Sequence, residues 1–198
     1  QGLDWIRKAR ALGLGAGDVA LARTEEAQPA LPLERRFREA EAMLARARDD
    51  EDARERWTKA RSEWLGFRIS QCRSALHLNA GDHATRHALA KLRLELGEAD
   101  LAIAEYRQIE TVPEFRVSAL IGLGRALKRK RRFNDAIEYF TAAKHELVGM
   151  DDVRRDIIYE LGGCLLLKGD IDGAMAEFKS IHSNPVERSA SGAIRLPG

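Results

Sequence analysis

Apolar positions recur at spacings of three and four along most of this chain, the period of amphipathic helices. Leu33, Phe37, Ala40, Leu44 and Ala47 form a first stripe, and Ala53, Trp57, Ala60, Trp64 and Phe67 form a second. The stripes are out of phase across the acidic run 49–52, which predicts a turn or kink there. Acids at the start of the following helix complement its macrodipole. Trp57 and Trp64 are read as core residues packed against the first downstream helices, because large aromatics at helical spacing bury area. Farther on, the pattern predicts helices over 83–96, 99–111, 116–131, 134–148, 152–168 and 171–182. Asp82, Asn134 and Asp170 lie near helix starts, where capping residues belong. Pro113 falls between helix pairs and Pro185 ends the pattern. Ahead of Leu33, residues 4–12 read as a short amphipathic helix, and 13–32, rich in Gly, Ala and Pro, as a linker.

Three segments repeat one another: 101–106, 135–140 and 173–178. Their anchor alanines, Ala102, Ala136 and Ala174, are 34 and then 38 residues apart. Twelve residues before the anchors stand Ala90, Gly124 and Gly162, each preceded by a leucine: Leu89, Leu123 and Leu161. Four residues after them come Tyr106, Phe140 and Phe178, and three farther on Ile109, Ala143 and Ile181. A small residue on one helix permits close approach of a second helix, and the aromatic fills the gap. Glycine inside a helix costs about 1 kcal/mol relative to alanine, so Gly124 and Gly162 imply a packing reason. Gly97 and Gly169 sit in the turns between paired helices, where Arg131 takes the same place in the middle unit.

A Leu-Gly pair on a first helix and an Ala, aromatic, Ala series on a second, at a period of about 34 residues, resembles the tetratricopeptide-repeat family. The resemblance implies an all-α, right-handed α-solenoid of about three and a half helix-turn-helix units with an N-terminal helical extension. The expected layout is an extension and linker over 1–48, an array over 49–183, and a flexible tail over 184–198. Within the array, units fall near 83–116, 117–150 and 152–184. A degenerate unit at 49–82 has Arg68 where the small anchor is expected, with Cys72 and Ala75 at the later positions. The longer 38-residue step is assigned to a longer second helix or loop near 148–152.

Composition adds limits. Lys plus Arg total 33 and Asp plus Glu 31, so a net charge of +2 gives no global polyanion or membrane signal. Cys72 and Cys164 are too far apart for a zinc C-x-x-C pair, and read as small core hydrophobes in a reducing, cytoplasmic setting. No apolar run reaches the roughly 20 residues of a membrane span. A chain opening on Gln1 is expected to be a fragment or processed form.

Candidate chemistry is sparse. Residues 125–132 carry six positive charges and no acid. In family register, Arg125 and Lys128 point to the concave groove of the first helices. Arg129, Lys130, Arg131 and Arg132 form a basic patch reaching into the turn. The same register places His87, Lys91, Ser118, Ile121, Asp156, Tyr159 and Leu166 on the groove. The family's carboxylate-gripping Lys, Asn and Arg set lacks its Asn members here, so that mode is not expected. His83 and His87 share a helix face, but no third ligand lies near them for zinc. No phosphate-binding Gly loop or nucleophile elbow occurs, and no catalytic residues, metal or cofactor are expected. The function this implies is a non-catalytic interaction scaffold or adaptor, binding a peptide or helix of another protein. One alternative is nucleic acid or another polyanion at 125–132. Another is an accessory domain of an enzyme whose catalytic part lies outside this chain.

Overall fold

The computed structural model describes residues 30–149 and 151–182. The expected helix 4–12, most of the linker, and the tail 184–198 lie outside the described residues. Eight helices are described: α1 (Ala30–Arg46), α2 (Glu51–Leu78), α3 (His83–Leu96), α4 (Ala99–Arg107), α5 (Arg116–Arg129), α6 (Phe133–His145), α7 (Asp152–Lys168) and α8 (Ile171–His182). No strand occurs among the described residues. The chain divides into two compact units, Gln1–Thr85 and Arg86–Gly198.

In the first unit, α1 and α2 pack against one another. The turn between them lies at 47–50, two residues earlier than the predicted 49–52. Asp50 caps α2 by accepting from the Asp52 amide at 3.0 Å, and Glu51 and Asp52 occupy its first turn. Of the predicted stripes, Ala40 and Ala53 are buried, Ala47 is exposed and the other members are half-buried, while the buried Leu65 and Ile69 of α2 lie outside the predicted stripe. Trp57 and Trp64 are half-buried. Their rings carry Arg61 and Arg68 at 5.5 and 5.6 Å, and Trp64 stacks on Phe67. The degenerate unit at 49–82 is corrected here. That stretch holds one 28-residue helix, not two. Its single internal glycine, Gly66, makes no turn and has open space around it. The antiparallel partner is therefore α1, upstream of the expected unit.

The second unit is a series of sequential helix pairs: α4 packs on α5, α5 on α6, α6 on α7 and α7 on α8. Ala102, Ala136 and Ala174 are fully buried, and Leu89, Leu123 and Leu161 are buried as well. One cluster joins Ala90, Ala102, Tyr106, Ile109 and Leu123. The next joins Leu120, Phe140, Ala143, Ile157, Leu161 and Cys164. The glycines fit under rings. A Cβ on Gly124 would lie 2.7 Å from the Phe140 ring, and one on Gly162 would lie 2.4 Å from Phe178. Gly122, which the repeat register does not single out, lies under Tyr106 of the preceding pair, 2.2 Å from the ring for a built Cβ. Burial pushes the Tyr106 phenol up to about 12 and raises the Cys164 thiol.

Helix limits differ in detail from the periodic pattern. The second helices end early, at Arg107 and His145. α6 has 13 residues against 9 in α4, which takes up part of the longer 38-residue step. Asp170 caps α8 through the Gly173 amide at 2.9 Å, and Asp82 binds both the amide and hydroxyl of Thr85. Asn134 does not cap. The boundary residue of α6 is Arg132, which makes no side-chain cap bond, and Asn134 sits within the first turn. Asp151, absent from the sequence-based list, caps α7 through the Arg154 amide at 2.7 Å.

Arg131 has φ of +61°, the left-handed conformation that Gly97 and Gly169 adopt at +98° and +91° in the equivalent turns. A non-glycine residue there costs about 1–2 kcal/mol. Glycine would return about 0.5–1 kcal/mol of that through the freer unfolded chain. Arg131→Gly is therefore expected to leave thermal stability equal or raised by up to about 1 kcal/mol, measured by calorimetric melting.

Candidate functional site

First helices lie beside first helices, and second beside second. Arg129 of α5 donates to the Leu94 carbonyl of α3, and Arg125 and Lys128 of α5 reach Glu160 of α7. On the other layer, Lys144 of α6 meets Glu177 of α8 at 2.7 Å. The candidate face is the solvent-exposed side of α3, α5 and α7.

At its centre, Arg125 Nε and Lys128 Nζ each donate to one Glu160 carboxylate oxygen at 2.9 Å. The Glu160 side chain is 24% exposed. Burial raises its pKa, but the hydrogen bonds and charges of Lys128 and Arg125 outweigh that and hold it below the ordinary value. Gly163 leaves room for the Lys128 amine, which passes 3.4 Å from where a Cβ would stand. Glu160 escapes a sequence reading because its partners lie 35 and 32 residues away. A repeat offset near 34, placing Glu160 beside the residues of the preceding unit, is the signal that identifies it. Because the folded pKa is lowered, the stabilisation by Glu160 is present above the ordinary carboxylate range. It is lost as pH falls through the lowered value. Glu160→Gln is expected to cost about 1 kcal/mol at neutral pH, with the gap in melting temperature to the native chain closing in acid.

The other predicted residues divide. Tyr159 is 57% exposed and its ring lies 5.9 Å from Phe178. Lys91, Asp156 and Leu166 are exposed on the same helices. His87 is half-buried, its ring 6.0 Å from Tyr106 and 5.6 Å from Phe115. Burial, then Lys91, lowers its pKa, so it belongs to the packing of the pair. Ser118 is half-buried and donates its hydroxyl to the Phe115 carbonyl at 2.9 Å. Ile121 packs on the second core cluster.

The basic run is partly neutralised by folding. Arg125 and Lys128 share Glu160, Lys130 pairs with Asp100 and Arg132 with Asp135, while Arg129 bonds a neutral backbone carbonyl. Arg131 alone of the six makes no side-chain hydrogen bond or ion pair among the described residues. Among the described residues no group of three His, Cys, Asp or Glu is placed to hold a metal ion. No helix among them is long and apolar enough to cross a membrane.

No family model matches the chain, and no curated protein matches it. Solved structures do. MamA 41-end from Desulfovibrio magneticus RS-1 is similar at a TM-score of 0.53 and 18% identity, over 87% of this chain and 97% of that one. The MamA RS-1 ArsTM double mutant is similar at 0.54 and 16%, over 91% and 99%. At such identities the likeness carries the fold: an all-helical tetratricopeptide-type array of sequentially packed helices.

Proposed function

We propose that this chain is a non-catalytic interaction scaffold that holds a peptide or helix of a partner protein on the face of α3, α5 and α7. The observation that carries the reading is Tyr159, an exposed aromatic next to Glu160 and its two bound cations. Such a surface is held rigid before binding, since Arg125 and Lys128 are already fixed by Glu160. Preorganised side chains lose little entropy on association. Aromatic and arginine side chains are the types that dominate interface energetics. In this reading the binding array spans 83–182. The polyanion alternative over 125–132 is weakened by the ion pairs of four of its six cations, which set Glu160, Asp100 and Asp135 against them.

Affinity capture with quantitative mass spectrometry tests the reading, using the native chain and the Tyr159→Ala variant as baits. Loss of the exposed ring is expected to weaken the specific complex by about 2 kcal/mol, roughly thirtyfold in Kd. Equal recovery of every captured protein by a folded Tyr159→Ala bait contradicts it.

A further inference from the structure

Between the turns that link α5 to α6 and α7 to α8 lies an open depression of about 350 Å³, lined by Arg131, Arg132, Phe133, Asn134, Asp135 and Lys168. The repeat makes its chemistry readable by comparison with the turn one unit earlier. Lys130 stands six residues after Gly124, as Lys168 stands six after Gly162. Lys130 is paired with Asp100, two residues before the anchor Ala102. The residue two before the next anchor, Ala136, is Asn134. At the earlier junction the lysine has a carboxylate partner. At the later one the equivalent lysine shares the depression with a neutral amide.

The Lys168 side chain has no hydrogen bond or ion pair among the described residues, and neither does the Arg131 side chain. Arg131 stands where both other turns have glycine, so the depression holds a cation the repeat does not require. Of the nearby acids, Asp135 is paired with Arg132, and Asp170 on the adjoining turn accepts from the Gly173 amide. Among the residues lining the depression, Arg131, Arg132 and Lys168 against Asp135 leave two positive charges, with the Asp170 carboxylate turned to the start of α8 outside the lining. No side chain caps the start of α6, which also lines it.

We propose that this depression binds a phosphomonoester dianion, held by Arg131 and Lys168. A phosphomonoester carries about −1.5 to −2 charge at pH 7, matching the two unpaired cations, whereas a single carboxylate would leave one unmatched. Its oxygens take the place that the Asp100 carboxylate fills beside Lys130. Because the depression is open, it suits a phosphate presented at a surface, with phosphoserine or phosphothreonine on a protein as one source and free phosphate as the other. The site lies on the turn edge of the array and does not rest on the role proposed for Tyr159.

The test is amide NMR of the full chain, titrated at constant ionic strength with inorganic phosphate, a phosphoserine peptide and the same peptide bearing serine. Saturable shifts at 131–135 and 168–170 with the first two ligands, absent with the third, are expected. Tighter binding of the phosphopeptide assigns a protein source, and equal or tighter binding of inorganic phosphate assigns free phosphate. Lys168→Ala is expected to weaken binding at least about tenfold, as the loss of one charge-assisted contact should. Arg131→Gly should do the same while the chain melts no lower than native. Asn134→Asp supplies the missing internal carboxylate and is expected to abolish binding with folding intact. The proposal is overturned by shifts that do not saturate, or by a folded Arg131→Gly or Asn134→Asp chain that binds as the native one does. Tighter binding of a short oligonucleotide, unchanged in Arg131→Gly, also overturns it.

Discussion

Replacing Phe140 by alanine should cost about 4 kcal/mol, the upper range for an aromatic removed from a core. The ring is completely buried and belongs to the cluster of Leu120, Leu127, Ala136, Ala143, Ile157, Leu161 and Cys164. These residues come from α5, α6 and α7, so one ring joins a helix pair to the next. Backbone on three helices limits collapse into the space left behind. Equilibrium denaturation of the variant and native chain measures the difference. A loss below about 1 kcal/mol would mean that the helices close around the cavity, contrary to the rigid packing inferred here.

Gly124→Leu should destabilise by about 3 kcal/mol from the opposite cause, overpacking. Even the Cβ would stand 2.7 Å from the Phe140 ring, which has no exposed side toward which to move. The same clash is expected at Gly162, but Phe178 is only half-buried and has room to swing outward. The cost there should be smaller. A double-mutant cycle separates packing from helix propensity. In a Phe140→Leu background, Gly124→Ala removes a helix-interior glycine without meeting a ring. It is expected to recover up to about 1 kcal/mol, whereas Gly124→Ala alone should destabilise. The same sign in both backgrounds would show that the ring is not what requires glycine.

What the sequence revealed, and what it hid, follow from the range of each interaction. Ala102, Ala136 and Ala174, and Gly124 and Gly162 under the Phe140 and Phe178 rings, were legible because helix contact at a fixed period forces small residues at fixed offsets. Arg131 was legible as an oddity because its two equivalents are glycine. Gly122 was not, since the ring over it belongs to the preceding helix pair and breaks the offset seen at Gly124 and Gly162. The length of α2 was not legible, because a degenerate helix-turn-helix unit over 49–82 needs a turn there and no residue of Glu51–Leu78 terminates the helix. At the candidate face, the cations were legible but their ion pairs were not. Glu160, Asp100 and Asp135 reach them through tertiary packing or across a turn, and a linear charge count sees only the run 125–132.

The most direct measurement of whether the face of α3, α5 and α7 receives a partner protein is site-specific photocrosslinking in cells. A photoreactive amino acid is placed at Tyr159 on α7 and, in a second chain, at the exposed Glu138 on α6. A discrete protein adduct from position 159, absent from position 138, is the predicted result. Adducts from position 138 with none from position 159 would contradict the proposed face and move the partner to the layer of second helices.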